Sequence, residues 1–179
     1  MPSPSRSQSH IRYPLTSILG SPGNVRVLRA LISERSPQSA PQLARAAGLT
    51  PQGARLVLDT LARQQLVKVY GSDRTQLHEL NASHAFAHAL VTLFREEQQR
   101  WETLLTSIRE MLAEYGTAVR AAWLYGSVAR GEDTANSDLD LALLVRSHTI
   151  ADQIREDLML LEDAQQLRIS LTALTSKEL

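Results

Sequence analysis

The sequence predicts an α+β protein made of two small domains joined by one long helix. Three observations carry this reading. Charge reverses along the chain: residues 1–78 hold ten Lys/Arg and three Asp/Glu, a net of +7, and residues 79–179 hold nine and sixteen, a net of −7. Residues 82–115 contain neither Gly nor Pro and carry an apolar stripe at helical spacing. Beyond them, Gly126-Ser127 is separated by ten residues from Asp138-x-Asp140, which opens an apolar strand.

A length of 179 residues allows one or two domains, and a hydrophobic content of 43% is enough for packed cores. With no cysteine, disulfides and Cys-based zinc sites are excluded. The histidines show no zinc-protease spacing; His84 and His88, without a third ligand nearby, read as ordinary helix-surface residues. No apolar run approaches a membrane span, so no membrane partner is expected. Met1–His10 is rich in Ser and Pro and lacks an apolar signal core. A disordered tail is therefore expected over residues 1–16, and the cytoplasm is the expected location.

The elements follow in order. Asn24–Glu34 spaces Val25, Leu28, Leu31 and Ile32 as one helix face. Pro41–Ala47 is a second, short helix with Leu43, Ala44 and Ala47 inward. Gly48-Leu49-Thr50 is a tight turn, Thr50 can cap the next helix, and Pro51 suits its first position. That third helix, Pro51–Gln65, packs Ala54, Val57, Leu58 and Leu61. Two alternating runs, Leu66–Tyr70 and Thr75–Leu80, flank a Gly-containing turn and predict a hairpin.

Helix, helix–turn–helix and hairpin in that order resemble the winged helix-turn-helix family over residues 17–81. The resemblance implies that the third helix meets the DNA major groove by its N-terminal end. Thr50, Gln52 and Arg55 are then the candidates for DNA contact, and Arg74 at the hairpin tip could reach a phosphate or the minor groove. The alternative is a winged helix used for protein contact alone, but the +7 charge points to a polyanion.

Residues 82–116 read as the linking helix, its stripe running from Phe86 and Leu90 through Trp101 and Leu104 to Leu112 and Tyr115. Glu96–Arg100 interrupts the stripe. Such a stripe packs either on its own chain or on a second copy. A homodimer is the favoured expectation, because winged-helix proteins usually read two half-sites as two-fold dimers.

In residues 117–179, side chains two apart on a strand share a face. Asp138 and Asp140 therefore project together, with Leu139 and Leu141 turned inward. Paired carboxylates are oxygen ligands suited to Mg²⁺ that is shared with substrate phosphates. Gly126 lets backbone N–H groups approach a phosphate and the Ser127 hydroxyl can donate to one. A short helix is expected to begin at Val128, and Arg130 is a candidate phosphate clamp. Either pair alone is an ordinary turn or a solvated strand edge. Together, with Ala129-Arg130-Gly131 and Ser137 between them, they resemble the signature of polymerase-β-type nucleotidyltransferases, in particular their minimal members, over residues 119–175. The resemblance implies a small mixed-sheet domain in which Ser127 contacts a triphosphate and Asp138 and Asp140 bind Mg²⁺ and serve catalysis.

One position departs from the pattern. The family carries a third carboxylate on a later strand, which completes the metal site and helps deprotonate the attacking hydroxyl. That strand is expected at Leu167–Leu174, where the third acid falls on Ser170. A serine hydroxyl is neutral, a poor Mg²⁺ ligand and no base near pH 7. Either a carboxylate arrives from Asp163, Glu162 or a partner chain, or the domain binds nucleotide without transferring it. Glu162 and Asp163 lie late on a helix expected at Ile150–Gln166, where a solvated face is the plain reading.

The expected function is accordingly a DNA-binding, nucleotidyltransferase-fold protein that transfers AMP from ATP to a hydroxyl of a protein or small molecule. The family's small members include autoregulating antitoxins that modify a partner toxin, so a toxin-like partner protein is expected too. The alternative is a transcriptional regulator whose transferase domain binds nucleotide or a partner and is inactive because of Ser170.

Overall fold

The computed structural model describes residues 9–34, 36–72 and 75–178. The chain divides after Glu97 into two compact units. The first contains α1 (Leu15–Ile18), α2 (Pro22–Ser33), β1 (Gln38–Ser39), α3 (Ala40–Ala46), α4 (Pro51–Arg63), β2 (Val67–Tyr70) and β3 (Leu77–Leu80). Local chemistry starts α2, α3 and α4. Ser21 Oγ accepts the Asn24 amide at 3.1 Å before α2, and Gln42 Oε1 accepts the Ser39 amide at 2.9 Å before α3. Thr50 Oγ1 accepts the Gly53 amide at 3.1 Å, with Pro51 as the first residue of α4. Gly48 takes a left-handed φ of 60° in the turn between α3 and α4, which favours glycine. The inward faces supply one core that includes Val27, Leu28, Leu31, Leu43, Leu58, Leu61 and Leu66.

The hairpin strands are shorter than expected, and β3 is the centre of a three-stranded antiparallel sheet in the order β1-β3-β2. The pairing of Gln38-Ser39 with β3 has no periodic signal, since two residues cannot show alternation. Three helices with this sheet make a winged helix-turn-helix unit. The disordered tail expected over residues 1–16 needs correction at its far end. Residues 1–8 lie outside the described residues, but α1 begins at Leu15 and Ile18 is buried. The cause is Asn24, whose Nδ2 donates to the Ser17 carbonyl at 2.8 Å and ties α1 to α2.

Helix α5 (Ala87–Glu114) starts later than the expected residue 82. Asn81 takes the preceding segment into a turn by accepting the Ser83 amide and donating to the Gln65 carbonyl at 2.7 Å. Leu90 and Phe94 pack in the first core, and Leu104, Ile108 and Leu112 in the second. Arg29 adds an ion pair to Glu97 at 2.7 Å and lies over the Phe94 ring; its hydrogen bond holds the Glu97 carboxyl below its ordinary range. Much of the stripe expected on a linking helix is thus buried within its own chain, while Leu93 and Trp101 stay partly open at 51% and 38% exposure.

The second unit holds the rest of α5, a 3₁₀ turn (Gly116–Ala118), β4 (Val119–Tyr125), α6 (Gly126–Arg130), β5 (Leu139–Val145), α7 (His148–Gln165) and β6 (Ile169–Thr175). The sheet order is β4-β5-β6, with β4 antiparallel and β6 parallel to the central β5. Leu139, Leu141, Leu143 and Val145 alternate into a core shared with Ile154 and Leu158 of α7 and with the three α5 residues. The Tyr115 hydroxyl donates to Asp157 at 2.6 Å, which pushes its pKa up to about 12. The mixed sheet with its helices and the winged unit make the α+β class expected from the sequence.

Cavity formation at Leu143 illustrates what holds this unit. The side chain is fully buried at the centre of the sheet. Leu143→Ala is expected to cost about 2–5 kcal/mol in urea denaturation; a loss below 1 kcal/mol would show that the sheet centre collapses to fill the void.

Candidate functional site

Strand β4 ends at Tyr125, and Gly126 turns the chain into α6 with a left-handed φ of 73°. Strand register sets Tyr125 beside Asp140, and Asp140 beside Ser170. Asp140 is pressed against the turn: a Cβ built on Gly126 would lie 1.9 Å from Asp140 Oδ2 and 2.7 Å from Cγ. Glycine is required there twice over, by backbone sign and by space. The two parts of the motif, ten residues apart in sequence, are therefore in direct contact.

Asp138 lies one residue before β5 and is exposed, with Leu139 buried behind it and Asp140 half-buried beyond, so the alternation continues past the strand end. The preceding loop is fastened by Ser137, whose Oγ accepts the Thr134 amide at 2.9 Å. The Leu139 amide donates to the Arg168 carbonyl at 2.8 Å, pinning this end of β5 to the lead into β6. Ser127 is half-buried in the first turn of α6. Arg130 is exposed and its Nε donates to Glu132 at 2.8 Å. An exposed pair of this kind contributes only about 0–1 kcal/mol, so a phosphate could displace Glu132.

The position where the resemblance implies a third acid is Ser170, the β6 residue in register with Asp140, which brings a hydroxyl and not a carboxylate beside it. Glu162 does not replace it. Its Oε1 accepts the Ile169 amide and so braces the turn between α7 and β6. The plain reading of Glu162 as a solvated helix residue is thereby corrected: it is half-buried and structural, because the loop brings a free amide back over the end of α7. Asp163 is exposed. Among the described residues no three His, Cys, Asp or Glu side chains converge as a metal group. Two carboxylates beside a close-approach glycine fit a Mg²⁺ ion already carrying phosphates, which needs only one or two protein carboxylates. They do not make a two-metal centre.

In the first unit, Thr50, Gln52 and Arg55 are all exposed. Thr50 Oγ1 is engaged as the helix cap. Gln52 and Arg55 share the outer face of α4 with Leu56, Asp59 and Arg63, and Leu56 is 62% exposed. These three additional face residues were legible from Gln52 by helical spacing. Arg74 lies outside the described residues. His84 precedes α5 rather than sitting on it, so His84 and His88 do not share a helix face. Among the described residues no helix is long and apolar enough to cross a membrane.

Comparison with known proteins finds a family model that matches most of the second unit. Residues 106–178 match the family model described as polymerase beta, nucleotidyltransferase. No curated relative matches the chain. Solved structures similar to it include the AntR antimony-specific transcriptional repressor, at 16% identity over 57% of this chain and 96% of that one, TM-score 0.43. The MepR–DNA complex of S. aureus matches at 16% identity over 59% and 90%, TM-score 0.36. NadR in complex with 4-hydroxyphenylacetate matches at 17% identity over 64% and 97%, TM-score 0.38. The winged-helix assignment rests on the element order and strand pairing of this chain.

Proposed function

We propose that this chain is a DNA-binding regulator whose second unit binds a Mg²⁺-bound nucleoside triphosphate, ATP being the first choice, without transferring it efficiently. The observation that carries this reading is the strand register of Asp140 with Ser170, a neutral hydroxyl where transfer chemistry needs a carboxylate. Ser127 and the backbone at Gly126 would meet the phosphates, Arg130 would exchange Glu132 for one of them, and Asp138 and Asp140 would hold the metal. Calorimetry with Mg²⁺-ATP is expected to show binding that Asp138→Ala weakens at least about tenfold, the loss of one charge-assisted ligand. Equal affinity in the variant would remove Asp138 from the site.

For the first unit, DNA binding is supported by the positive charge of residues 1–78 and by Gln52 and Arg55 on an open helix face. Arg55→Ala is expected to lower affinity for the DNA upstream of its own gene by about 1–3 kcal/mol if it reads a base. If it contacts a phosphate, the salt dependence should instead fall by about one charge. A gel shift across salt concentrations separates the two, and no shift at low salt would sink the DNA reading. A two-fold dimer would present two α4 helices to adjacent half-sites, and light scattering would test it.

The transferase reading keeps one observation in its favour: Gly126 packs directly against Asp140, which brings the Gly-Ser turn and the Asp-x-Asp pair together. In that reading a hydroxyl oxygen of a partner protein, toxin-like in the autoregulating case, bonds to the α-phosphorus of ATP and loses its proton, while the bond to the β-phosphate breaks and pyrophosphate leaves. Radiolabelled ATP with such a partner would yield a labelled product that Asp138→Ala abolishes.

A further inference from the structure

In the first unit a cavity of about 830 Å³ opens between α4 and the strand β3, bounded on a third side by residues 39–41 at the start of α3. Arg55, Leu58 and Asp59 form its helix wall, and Thr75, Gln76 and His78 its strand wall. Leu58 is buried, while Arg55 and Asp59 are exposed. His78 is 5% exposed, and its Nδ1 lies 3.4 Å from the Gln38 carbonyl. Burial pushes the His78 pKa down, against the weaker pull of that carbonyl and of the Asp59 carboxylate, so the ring is neutral at pH 7. Among the described lining residues, full charge therefore rests on Arg55 and Asp59 alone. Neither makes an ion pair, with the other or with any described residue. They stand one turn apart on α4, where Cβ atoms are roughly 5–6 Å apart.

We propose that this cavity binds a small zwitterion of the dipeptide class, Arg55 holding its carboxylate and Asp59 its ammonium group, and that the ligand takes Arg55 away from DNA. The second half rests on the reading that Arg55 meets DNA. Charge selects the ligand. A simple anion gains Arg55 but is repelled by Asp59, a simple cation gains Asp59 but is repelled by Arg55, and a ligand carrying both signs pairs both. The chemistry of each end is matched: a guanidinium takes a carboxylate as a two-pronged fork, and a carboxylate accepts from an ammonium group. Spacing narrows the class. A free amino acid holds both charges on one carbon, whereas a dipeptide sets a peptide group between them and so suits partners one helical turn apart. Thr75 and Gln76 bring a hydroxyl and an amide to that peptide group. The volume agrees, since small-ligand pockets span about 300–1,000 Å³. DNA and ligand then compete for one guanidinium, which makes the cavity an effector site.

A panel of dipeptides with apolar, polar and charged side chains is screened against the full chain by melting temperature, beside leucine, acetate and ethylammonium. At least one dipeptide is expected to raise the melting temperature, and acetate and ethylammonium to leave it unmoved. In calorimetry, acetylating the amino end or amidating the carboxyl end of that dipeptide is expected to weaken it about tenfold or more, the worth of one hydrogen bond to a charged group. Asp59→Asn is expected to abolish the penalty for acetylation, and Arg55→Gln the penalty for amidation, a pairing that a merely structural role would not produce. Both side chains are exposed, so neither variant disturbs the core. In gel shifts the dipeptide is expected to weaken DNA binding by the unaltered chain and to have no effect on Asp59→Asn. The site is overturned if no dipeptide shifts the melting temperature, or if the form blocked at both ends binds as tightly as the free one. Leucine binding as tightly as the dipeptide overturns the assigned spacing. A bound dipeptide that leaves DNA affinity unmoved overturns the competition, whereas no DNA shift at low salt with dipeptide binding intact overturns the DNA reading and leaves the site standing.

Discussion

Gly126→Ala is expected to abolish the proposed binding of Mg²⁺-ATP and to destabilise the second unit by about 2–3 kcal/mol. Two costs combine. A left-handed φ of 73° disfavours any residue with a Cβ by about 1–2 kcal/mol. The new methyl would also lie 1.9 Å from Asp140 Oδ2, so the carboxylate must swing away or the turn must open. Either movement separates Asp140 from the Gly-Ser turn, and affinity for Mg²⁺-ATP is expected to fall well beyond about tenfold, the worth of a lost charge-assisted contact. Urea denaturation and calorimetry on the same samples check both parts. A variant as stable as the parent that still binds Mg²⁺-ATP would show that the contact between Gly126 and Asp140 has no bearing on the ligand.

Ser170→Asp is expected to act in the opposite sense. It places a third carboxylate directly beside Asp140 in the parallel ladder. Like charges side by side repel, so the melting temperature in EDTA should drop by several degrees, the effect of about 1 kcal/mol on a small domain. Mg²⁺ should restore it, because an ion that binds only the folded form stabilises by mass action. Given an acceptor, transfer from radiolabelled ATP should rise by about 10²–10⁴-fold, the usual worth of a positioned base. A variant whose melting temperature is indifferent to both EDTA and Mg²⁺ would mean that residue 170 does not face the metal pair. Transfer by the unaltered chain at the rate of Ser170→Asp would instead favour the transferase reading and place its base elsewhere.

The parts of the molecule readable without coordinates are those whose causes lie within a few residues. Thr50 and Pro51 mark the start of α4 because a cap and an N-terminal proline act on the very next turn. Leu139, Leu141 and Leu143 face inward because strand alternation needs only one buried side. Ser170 could be set at the third-acid position only through the family resemblance; its place beside Asp140 in a parallel ladder came from the structure. Other features depend on partners far along the chain. Ile18 is buried because Asn24 fastens α1, and nothing in the Ser- and Pro-rich tail signals that bond. Glu162 looked like a surface acid on its helix, yet the loop after α7 returns the Ile169 amide to it.

Sequence alone determined the class of each unit, the order of the elements, and the Gly-Ser and Asp-x-Asp pairs, since spacing, capping and alternation are local rules; the serine at the third-acid position followed only from the family resemblance. Tertiary structure alone decided that Asp140 rests on Gly126, that Glu162 is committed to the backbone, and that the long helix lends its apolar stripe to both cores. Those outcomes turn on register and packing between distant segments, where burial of complementary side chains selects one alignment among many that the local pattern permits.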